Sequence, residues 1–474
     1  GEALCRRSSK VWMLVRCRAG ATHPVMIQRE SHRTLFGITD VYDMNSAPQT
    51  PASWSGFAIA ILALVFFLPR PASAQESDDG PQFDFGGFIK SEHFYDTRQV
   101  VTARNEDFLL YPVPDENPDG EDASDADNLS SFQLFSRLSL GVSNLPQTLG
   151  ADVTGYMEAD FFGPGTVPDD VGQENIFRLR RAFANMVWDN REVKFGLEWS
   201  PLFTLGAYPN TVATEAGAPY NPFSRQPMVK FTLKPGNLRL VGITSWQFDA
   251  FREADFLGTN GLDQQQQSAL PALHGHIQYD GDNGFFAGAG GYLRWLRPVA
   301  TGERFALGAG TAYVAYDTDA FAVRAKGIFG STRDHVMPGG YIYDAGADTN
   351  GEFASDAFSQ LNTASGWLEL EKKGTFAPGL FLGYLSALGS SETITDFGTV
   401  GTGGITAATR TPDLKSVFDI SPRLALNYGA MRFAFEMQFT NATYASSFDE
   451  NYAPSGETDD VLNVRSNFTV FLFF

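Results

Sequence analysis

The chain has 474 residues, of which 35 are basic and 55 acidic, and its formal net charge is −20. This length fits one large barrel or two to three soluble domains. The acidity argues against nucleic acid as a partner. Both cysteines, Cys5 and Cys17, lie near the start. The remainder therefore holds no disulfide, which suits a protein that is exported through an oxidising compartment.

The start of the chain indicates export. The apolar run from Gly56 to Leu68 is too short for a spanning helix, and Ala72-Ser73-Ala74 matches the small-residue cleavage pattern of a secretory signal. A start at Met44 lacks the usual basic residues, whereas a start at Met26 supplies two arginines, so both starts stay open. The expected division is an upstream, unstructured segment at 1–43, a signal peptide at 44–74, a short lead-in at 75–82 and the folded domain at 83–474.

The folded domain alternates between apolar and polar residues with a period of two. In 151–162, Val153 and Met157 share one face, and Thr154 and Glu158 share the other. Charged faces recur on many strands. A soluble core would have to bury that charge at a high cost, whereas a water-filled lumen accepts it. The sixteen predicted strands are 83–97, 131–143, 151–162, 176–188, 193–203, 228–234, 238–250, 272–280, 285–297, 304–316, 321–334, 361–372, 379–390, 416–428, 432–446 and 461–474.

The connections between these strands alternate in length. Short turns rich in Asp, Asn, Gly and Pro follow the even-numbered strands, and most other links are long. Short turns on one side and long loops on the other are typical of outer-membrane barrels. The pattern predicts an all-β fold, a transmembrane antiparallel β-barrel of about 16 strands with short periplasmic turns and long extracellular loops. Its expected location is the bacterial outer membrane.

The last predicted strand ends in Phe474. A terminal aromatic residue on an amphipathic strand resembles the signal that the barrel-assembly machinery reads, so Phe474 is the predicted membrane-insertion signal. Closure of the barrel requires this strand to pair with the first one, near Phe83–Tyr95, at the periplasmic rim. The alternative is a soluble β-protein whose edge strand stops at a phenylalanine.

The strand at 176–188 carries the principal candidates for a pore. Arg178 and Arg180 lie on the face opposite the aromatic residues, whereas Arg181 falls on the lipid side, at a subunit contact or near the rim. Basic residues on one side of the lumen and acids on the other would create a transverse field that binds an anionic solute. The alternative is that the arginines only neutralise wall carboxylates. The predicted pore-lining residues are Arg178, Arg180, Arg137, Lys90, Glu158, Asp160 and Glu198.

Two long links are further candidates. The link 204–227 is rich in small residues and is expected to fold inward as a constriction loop, with Glu215 and Arg225 at the pore. The alternative is a surface loop that packs against a neighbouring subunit. The link 98–130 is strongly acidic, and a solvated loop is favoured over a calcium site because no EF-hand spacing is present.

Other features carry no predicted site. His274 and His276 share one face of a strand, and we interpret them as polar wall residues rather than metal ligands. The sequence contains no phosphate-binding loop, nucleophile elbow or zinc-protease motif. Neither an enzyme activity nor a cofactor is therefore predicted.

Five short segments in the first third of the barrel together resemble the DcaP-like family of trimeric outer-membrane porins. The segments are Gly87-Phe88-Ile89-Lys90, Ser136-Arg137-Leu138, Glu158-Ala159-Asp160-Phe161-Phe162-Gly163, Phe177-Arg178-Leu179-Arg180-Arg181-Ala182-Phe183 and Gly196-Leu197-Glu198-Trp199-Ser200-Pro201, with Tyr95-Asp96 following the first. The resemblance implies a 16-stranded homotrimer with an arginine-lined constriction that passes small anions such as dicarboxylates. Phosphate-selective porins are near relatives.

Two departures from the family pattern bear on this resemblance. The lead-in Gln75–Gln82 is too short for the family's coiled-coil segment, and Arg181 and Glu198 replace a histidine and a glutamine. The predicted function is passive diffusion of small hydrophilic, mainly anionic solutes. The expected partners are these solutes, outer-membrane lipid, the barrel-assembly machinery and two further copies of the chain. The alternative is a structural or receptor barrel whose lumen is closed by its loops.

Overall fold

The structure is a computed structural model that describes residues 80–103, 107–115, 120–163, 176–246, 261–332, 334, 336–348, 353–396 and 407–474. The predicted upstream segment, the signal peptide and most of the lead-in lie outside these ranges. Among the described residues, no helix is long and apolar enough to cross a membrane.

The described residues form 21 β-strands and one α-helix, α1 (Gly261–Ser268). The strands are β1 (Gln82–Asp96), β2 (Val100–Ala103), β3 (Phe108–Pro112), β4 (Asn128–Phe132), β5 (Arg137–Ser143), β6 (Asp152–Asp160), β7 (Arg178–Trp188), β8 (Arg191–Trp199), β9 (Arg225–Leu233), β10 (Leu238–Ser245), β11 (Ala272–Asp280), β12 (Phe285–Leu296), β13 (Phe305–Asp317), β14 (Phe321–Gly330), β15 (Gly340–Tyr343), β16 (Phe358–Lys372), β17 (Phe376–Ser390), β18 (Ala407–Ala408), β19 (Leu414–Tyr428), β20 (Met431–Phe448) and β21 (Pro454–Phe473).

Within the described residues, sixteen of these strands follow one another around a closed antiparallel barrel, and β4, β15 and β18 extend it. The predicted fold class is confirmed. β1 pairs with β21 from Phe88 opposite Phe473 to Asp96 opposite Arg465. The N–H of Phe474 donates to the carbonyl of Gly87 at 3.2 Å. The predicted pairing of the first and last strands is therefore confirmed.

Exposed aromatic side chains ring the outside of the barrel at two levels. One level adjoins the short turns and consists of Tyr279, Phe285, Tyr316, Phe321, Phe376 and Tyr428. The other lies near the strand ends that carry the long links and consists of Phe161, Phe177, Trp246, Phe329 and Phe418. Two aromatic girdles that flank an apolar band are the signature of a barrel that spans a bilayer. The protein is thus a transmembrane barrel of the outer-membrane type.

The link between β1 and β4 holds structure that the sequence analysis did not predict. β2 and β3 form a hairpin, and every residue from Phe108 to Pro112 is buried. The Tyr444 hydroxyl donates to the carbonyl of Pro112 at 2.6 Å, and Arg465 donates to the carbonyl of Asp107 at 2.9 Å. Since Tyr444 and Arg465 project inward from β20 and β21, the hairpin lies inside the barrel.

An apolar cluster fills part of the interior around this hairpin. Phe108 packs edge-on against Phe223 at 4.9 Å between ring centroids. The buried members of the cluster include Phe94, Phe108, Leu110, Tyr111, Phe132, Phe162, Phe223, Trp367, Phe381, Leu385, Val417 and Tyr444. They come from the hairpin, from β4, from the links after β6 and β8, and from the inner faces of β1 and β16–β20. The lumen beside those strands is therefore packed rather than filled with water.

Candidate functional site

A β-bulge in β7 brings adjacent arginines onto the inner face. Glu158 pairs with Arg181 and Ala159 pairs with Leu179, so Arg180 is the extra residue between them. Such an insertion shifts the alternation of the strand by one position. Arg181 therefore points into the lumen, where it forms a bidentate ion pair with Glu198 at 2.7 and 2.8 Å. The prediction that Arg181 faces lipid is wrong.

The bulge also changes which residues beyond it face the lumen. The Phe183 ring lies 5.5 Å from that of Tyr156, and the Lys194 ammonium lies over Phe183 at 3.9 Å. Phe183 therefore faces inward. Ala182 and Ala184, on either side of Phe183, face the exterior.

The arginines are ion-paired with carboxylates on the neighbouring strand. Arg178 donates two hydrogen bonds to the Asp160 carboxylate, at 3.0 and 2.7 Å. Arg180 donates to Glu158 at 2.7 Å and to Asp160 at 2.6 Å. The sequence analysis placed these acids opposite the arginines. They lie beside them instead, because the register of β6 and β7 makes them cross-strand neighbours.

The arginine cluster, defined as Arg137, Arg178, Arg180, Arg181 and Lys194 with their carboxylates, carries an excess of cations. The Lys194 ammonium also pairs with Glu198, the partner of Arg181, at 3.0 Å. Arg137 lies 3.6 Å from Glu158. Among these residues the five cations outnumber the three carboxylates Glu158, Asp160 and Glu198 by two. Arg180 is fully buried, whereas the other three arginine side chains are 12–20% exposed.

Lys90 lies on the inner wall but is fixed to other groups. Its ammonium bonds Glu92 at 2.6 Å and the Thr214 hydroxyl at 2.5 Å, and the side chain is buried. Its position between the rings of Phe135 and Phe471, 5.5 Å from each centroid, adds cation–π contacts. Lys90 therefore ties the wall to the link after β8 and presents little charge to water.

The segment between β8 and β9, residues 200–224, crosses the interior of the barrel, and we call it the inner loop. The N–H groups of Val212 and Ala213 donate to the Glu436 carboxylate of β20 at 3.1 and 3.0 Å. Asn210 donates to Glu369 and Glu371 of β16 at 2.9 and 2.7 Å. These bonds hold the loop against the wall opposite the strands that it connects.

The two predicted constriction residues are both buried. Glu215 accepts a hydrogen bond from Gln438 at 2.7 Å. Arg225 is the first residue of β9 rather than part of the loop, and its guanidinium lies over the Trp199 ring at 4.7 Å. Burial raises the pKa of the Glu215 carboxyl from its ordinary 4.5 to about 8, and the nearby charge of Arg465 only partly opposes this.

The raised pKa of Glu215 predicts that docking of the inner loop depends on pH. The docked loop favours the neutral carboxyl, so docking is most stable below pH 4.5 and weakens as the pH rises towards 8. Hydrogen exchange of the amides of residues 208–221, corrected for intrinsic rates, should speed up over that range. In Glu215→Gln the dependence should become clearly weaker, whereas the exposed-site control Asp282→Asn should keep it in full. Equal protection at both pH values in the unaltered protein would contradict this prediction.

Two cavities flank the first turn of the inner loop and share Leu205 and Gly206. The first, of about 290 Å³, lies against β8–β12, and the second, of about 370 Å³, lies against β13–β20. Arg324 in the second cavity bonds Glu369 at 2.8 Å and Glu371 at 3.0 Å. This second charged patch was not predicted, although its residues lie on the inner faces of their strands, as the predicted ones do.

The remaining features that the sequence analysis noted have ordinary environments. His274 contacts the Ser245 hydroxyl at 3.0 Å, and His276 contacts the Tyr313 hydroxyl at 3.2 Å. Asp122 of the acidic link accepts a hydrogen bond from Arg98 at 2.8 Å. Across the ranges that the structure describes, no group of three or more His, Cys, Asp or Glu side chains could hold a metal ion.

This geometry defines the class of the protein: a sixteen-stranded barrel of the outer-membrane porin type, with a loop folded into its lumen. Neither a family model nor a curated protein matches the sequence. The chain is similar in structure to the outer membrane channel DcaP of Acinetobacter baumannii, with a TM-score of 0.59 and 15% identity over 85% of this chain and 100% of that one. At this identity the likeness shows the fold, which agrees with the resemblance noted in the sequence.

Two other solved structures have lower TM-scores. The anion-selective porin from Comamonas acidovorans gives 0.48 at 11% identity, over 83% of this chain and 100% of that one. OmpF of Salmonella typhi, in complex with daunomycin, gives 0.47 at 9% identity, over 84% and 99%.

Proposed function

We propose that the protein is an outer-membrane porin through which small hydrophilic solutes, mainly anions, diffuse passively past an arginine-lined constriction. The observation that carries the proposal is the inner loop. It is hydrogen-bonded to Glu369 and Glu436 of the opposite wall and leaves a charged cavity on either side. A loop that narrows a barrel lined by charge selects small, charged solutes.

The arginine cluster supports the preference for anions. Its excess of two positive charges lies on the inner wall, where the lumen focuses the field of fixed charges. The side chains of Arg137, Arg178 and Arg181 are each partly exposed, so a passing carboxylate can reach them. In this proposal, Arg180 acts as their buried support.

A polar patch on the outer face of β1 supports a homotrimer. Ser91 and His93 point outward and lie 3.1 Å apart, between the two levels of exposed aromatic residues. His93 stacks on Phe468, and Ser131 of β4 lies opposite it in the ladder. Polar side chains at this depth are costly against lipid. Coverage by further copies of the chain would remove that cost.

The apolar cluster around the hairpin favours a second candidate function. It packs the extracellular part of the lumen beside β16–β20, which fits a structural or receptor barrel that is closed by its loops. Planar bilayers separate the two functions, because purified porin gives discrete conductance steps and a closed barrel gives none. Absence of conductance would refute the proposed porin function.

Reversal potentials under a salt gradient test the preference for anions. Replacing both Arg137 and Arg178 by glutamine should shift the reversal potential towards cations, because the cluster loses its excess of positive charge. The double variant Lys372→Gln/Lys415→Gln removes the same charge at sites outside the cluster and should leave the potential unchanged. Identical potentials in the arginine variant and the unaltered protein would exclude the cluster as the selectivity element.

A further inference from the structure

The wall between β8 and β9 carries a pair of like charges in direct register. Lys194 and Lys230 are opposite each other in the ladder, and both line the first cavity. Like charges at directly opposed positions of neighbouring strands repel each other. A sheet keeps such a pair at low cost only when anions compensate it, so the partners of each lysine decide how the pair is maintained.

The nearby carboxylates form ion pairs with other cations rather than with Lys230. Glu198 forms ion pairs with Lys194, at 3.0 Å, and with Arg181. Glu192 pairs with Lys234 at 2.9 Å. Within the ranges that the structure describes, no carboxylate forms an ion pair with Lys230. Among the lining residues the three cations Lys194, Lys230 and Arg239 outnumber the two carboxylates Glu192 and Glu198, so the wall of the first cavity carries an excess of positive charge.

The same cavity has an apolar wall, which is unusual for a water-filled lumen. Met228, Val241 and Ile243 project inward from β9 and β10 and form a small buried cluster. Phe286 and Trp199 also line the cavity. Hydrocarbon and ammonium groups thus lie side by side around a space of about 290 Å³.

We propose that the first cavity is a binding site for a small organic anion. Its carboxylate would lie between the ammonium groups of Lys194 and Lys230, and its hydrocarbon part would pack against Val241 and Ile243. The oxoanion compensates the repulsion between the two lysines, and the apolar wall distinguishes an organic anion from an inorganic one. The site lies on the proposed solute path and in that sense rests on the proposed function.

Equilibrium binding tests the site without requiring conduction. Isothermal titration of the full detergent-solubilised protein with hexanoate should show saturable binding, and inorganic phosphate should bind more weakly. Lys230→Gln should weaken the binding of hexanoate about tenfold, as expected for the loss of one charge-assisted hydrogen bond. The matched control Lys372→Gln, which removes a charge outside the cavity, should bind as the unaltered protein does. Equal affinities of Lys230→Gln and the unaltered protein would overturn the proposal.

Two further measurements separate binding from folding and from conduction. Ile243→Thr should weaken hexanoate but not acetate, which has no chain to contact the apolar wall. Lys230→Gln should unfold at the same or a higher temperature, since it relieves repulsion, whereas a purely structural lysine would leave the variant less stable. Binding of hexanoate without conductance would refute only the proposed porin function. Conductance without binding of hexanoate would refute only this binding site.

Discussion

Replacing Arg180 by alanine should lower the free energy of unfolding of the barrel by about 3–5 kcal/mol, because Glu158 and Asp160 each lose a buried charge-assisted hydrogen bond. The guanidinium donates to Glu158 at 2.7 Å and to Asp160 at 2.6 Å, and the side chain is fully buried. It also lies over the Phe135 ring at 4.7 Å, so the truncation removes packing as well as charge. Urea titration of protein refolded in lipid vesicles measures the loss.

Arg178→Ala is the matched control for this change. Arg178 donates two hydrogen bonds to the same Asp160 carboxylate but is partly exposed, so water can replace part of this interaction when the side chain is removed. The loss of stability should therefore be clearly smaller than for Arg180→Ala. Equal losses in the two variants would mean that burial of the guanidinium does not determine the strength of the pairing.

The barrel itself could be predicted because lipid on one side and water on the other impose a period of two on every spanning strand. The predicted strand 272–280 has the same bounds as β11, and most others agree within a few residues. Agreement is poorer at the extracellular ends. The predicted strand 193–203, for example, ends four residues beyond Trp199 because the chain there turns into the inner loop.

The orientation of Arg181 could not be predicted, because counting alternate positions assumes an uninterrupted strand. One inserted residue, Arg180, reverses the count for Arg181 and Phe183. The predicted position of the acids, across the lumen from the arginines, was wrong for a related reason. Asp160 and Arg178 are 18 positions apart, and only the register decides whether they meet on adjacent strands or across the lumen.

The hairpin of β2 and β3 could not be predicted, because acidic residues dominate the composition of the link between β1 and β4. The short stretch from Phe108 to Pro112 becomes significant only through contacts with Phe223 and with Tyr444, which lie more than a hundred and more than three hundred residues away along the chain. Long-range packing of this kind leaves no periodic signal, so the prediction of a solvated loop holds for only part of the link.

Replacing residues 100–112 by a Gly-Ser linker of equal length should raise the single-channel conductance several-fold. The hairpin fills lumen space beside β20 and β21, where Tyr444 and Arg465 bind its backbone. Its removal takes Phe108 and Tyr111 out of the apolar cluster and admits water, since a hydrophobic constriction blocks conduction by excluding water. Planar-bilayer recordings of the purified variant measure the effect.

The control replaces residues 125–127 of the same link, which are exposed, by Gly-Ser, and its conductance should equal that of the unaltered protein. If both the unaltered protein and the hairpin variant conduct, and the variant more, the hairpin narrows an open porin. If only the variant conducts, the hairpin closes the barrel, as the second candidate function requires. Unchanged conductance would mean that the solute path avoids the hairpin and runs along the two cavities beside the inner loop.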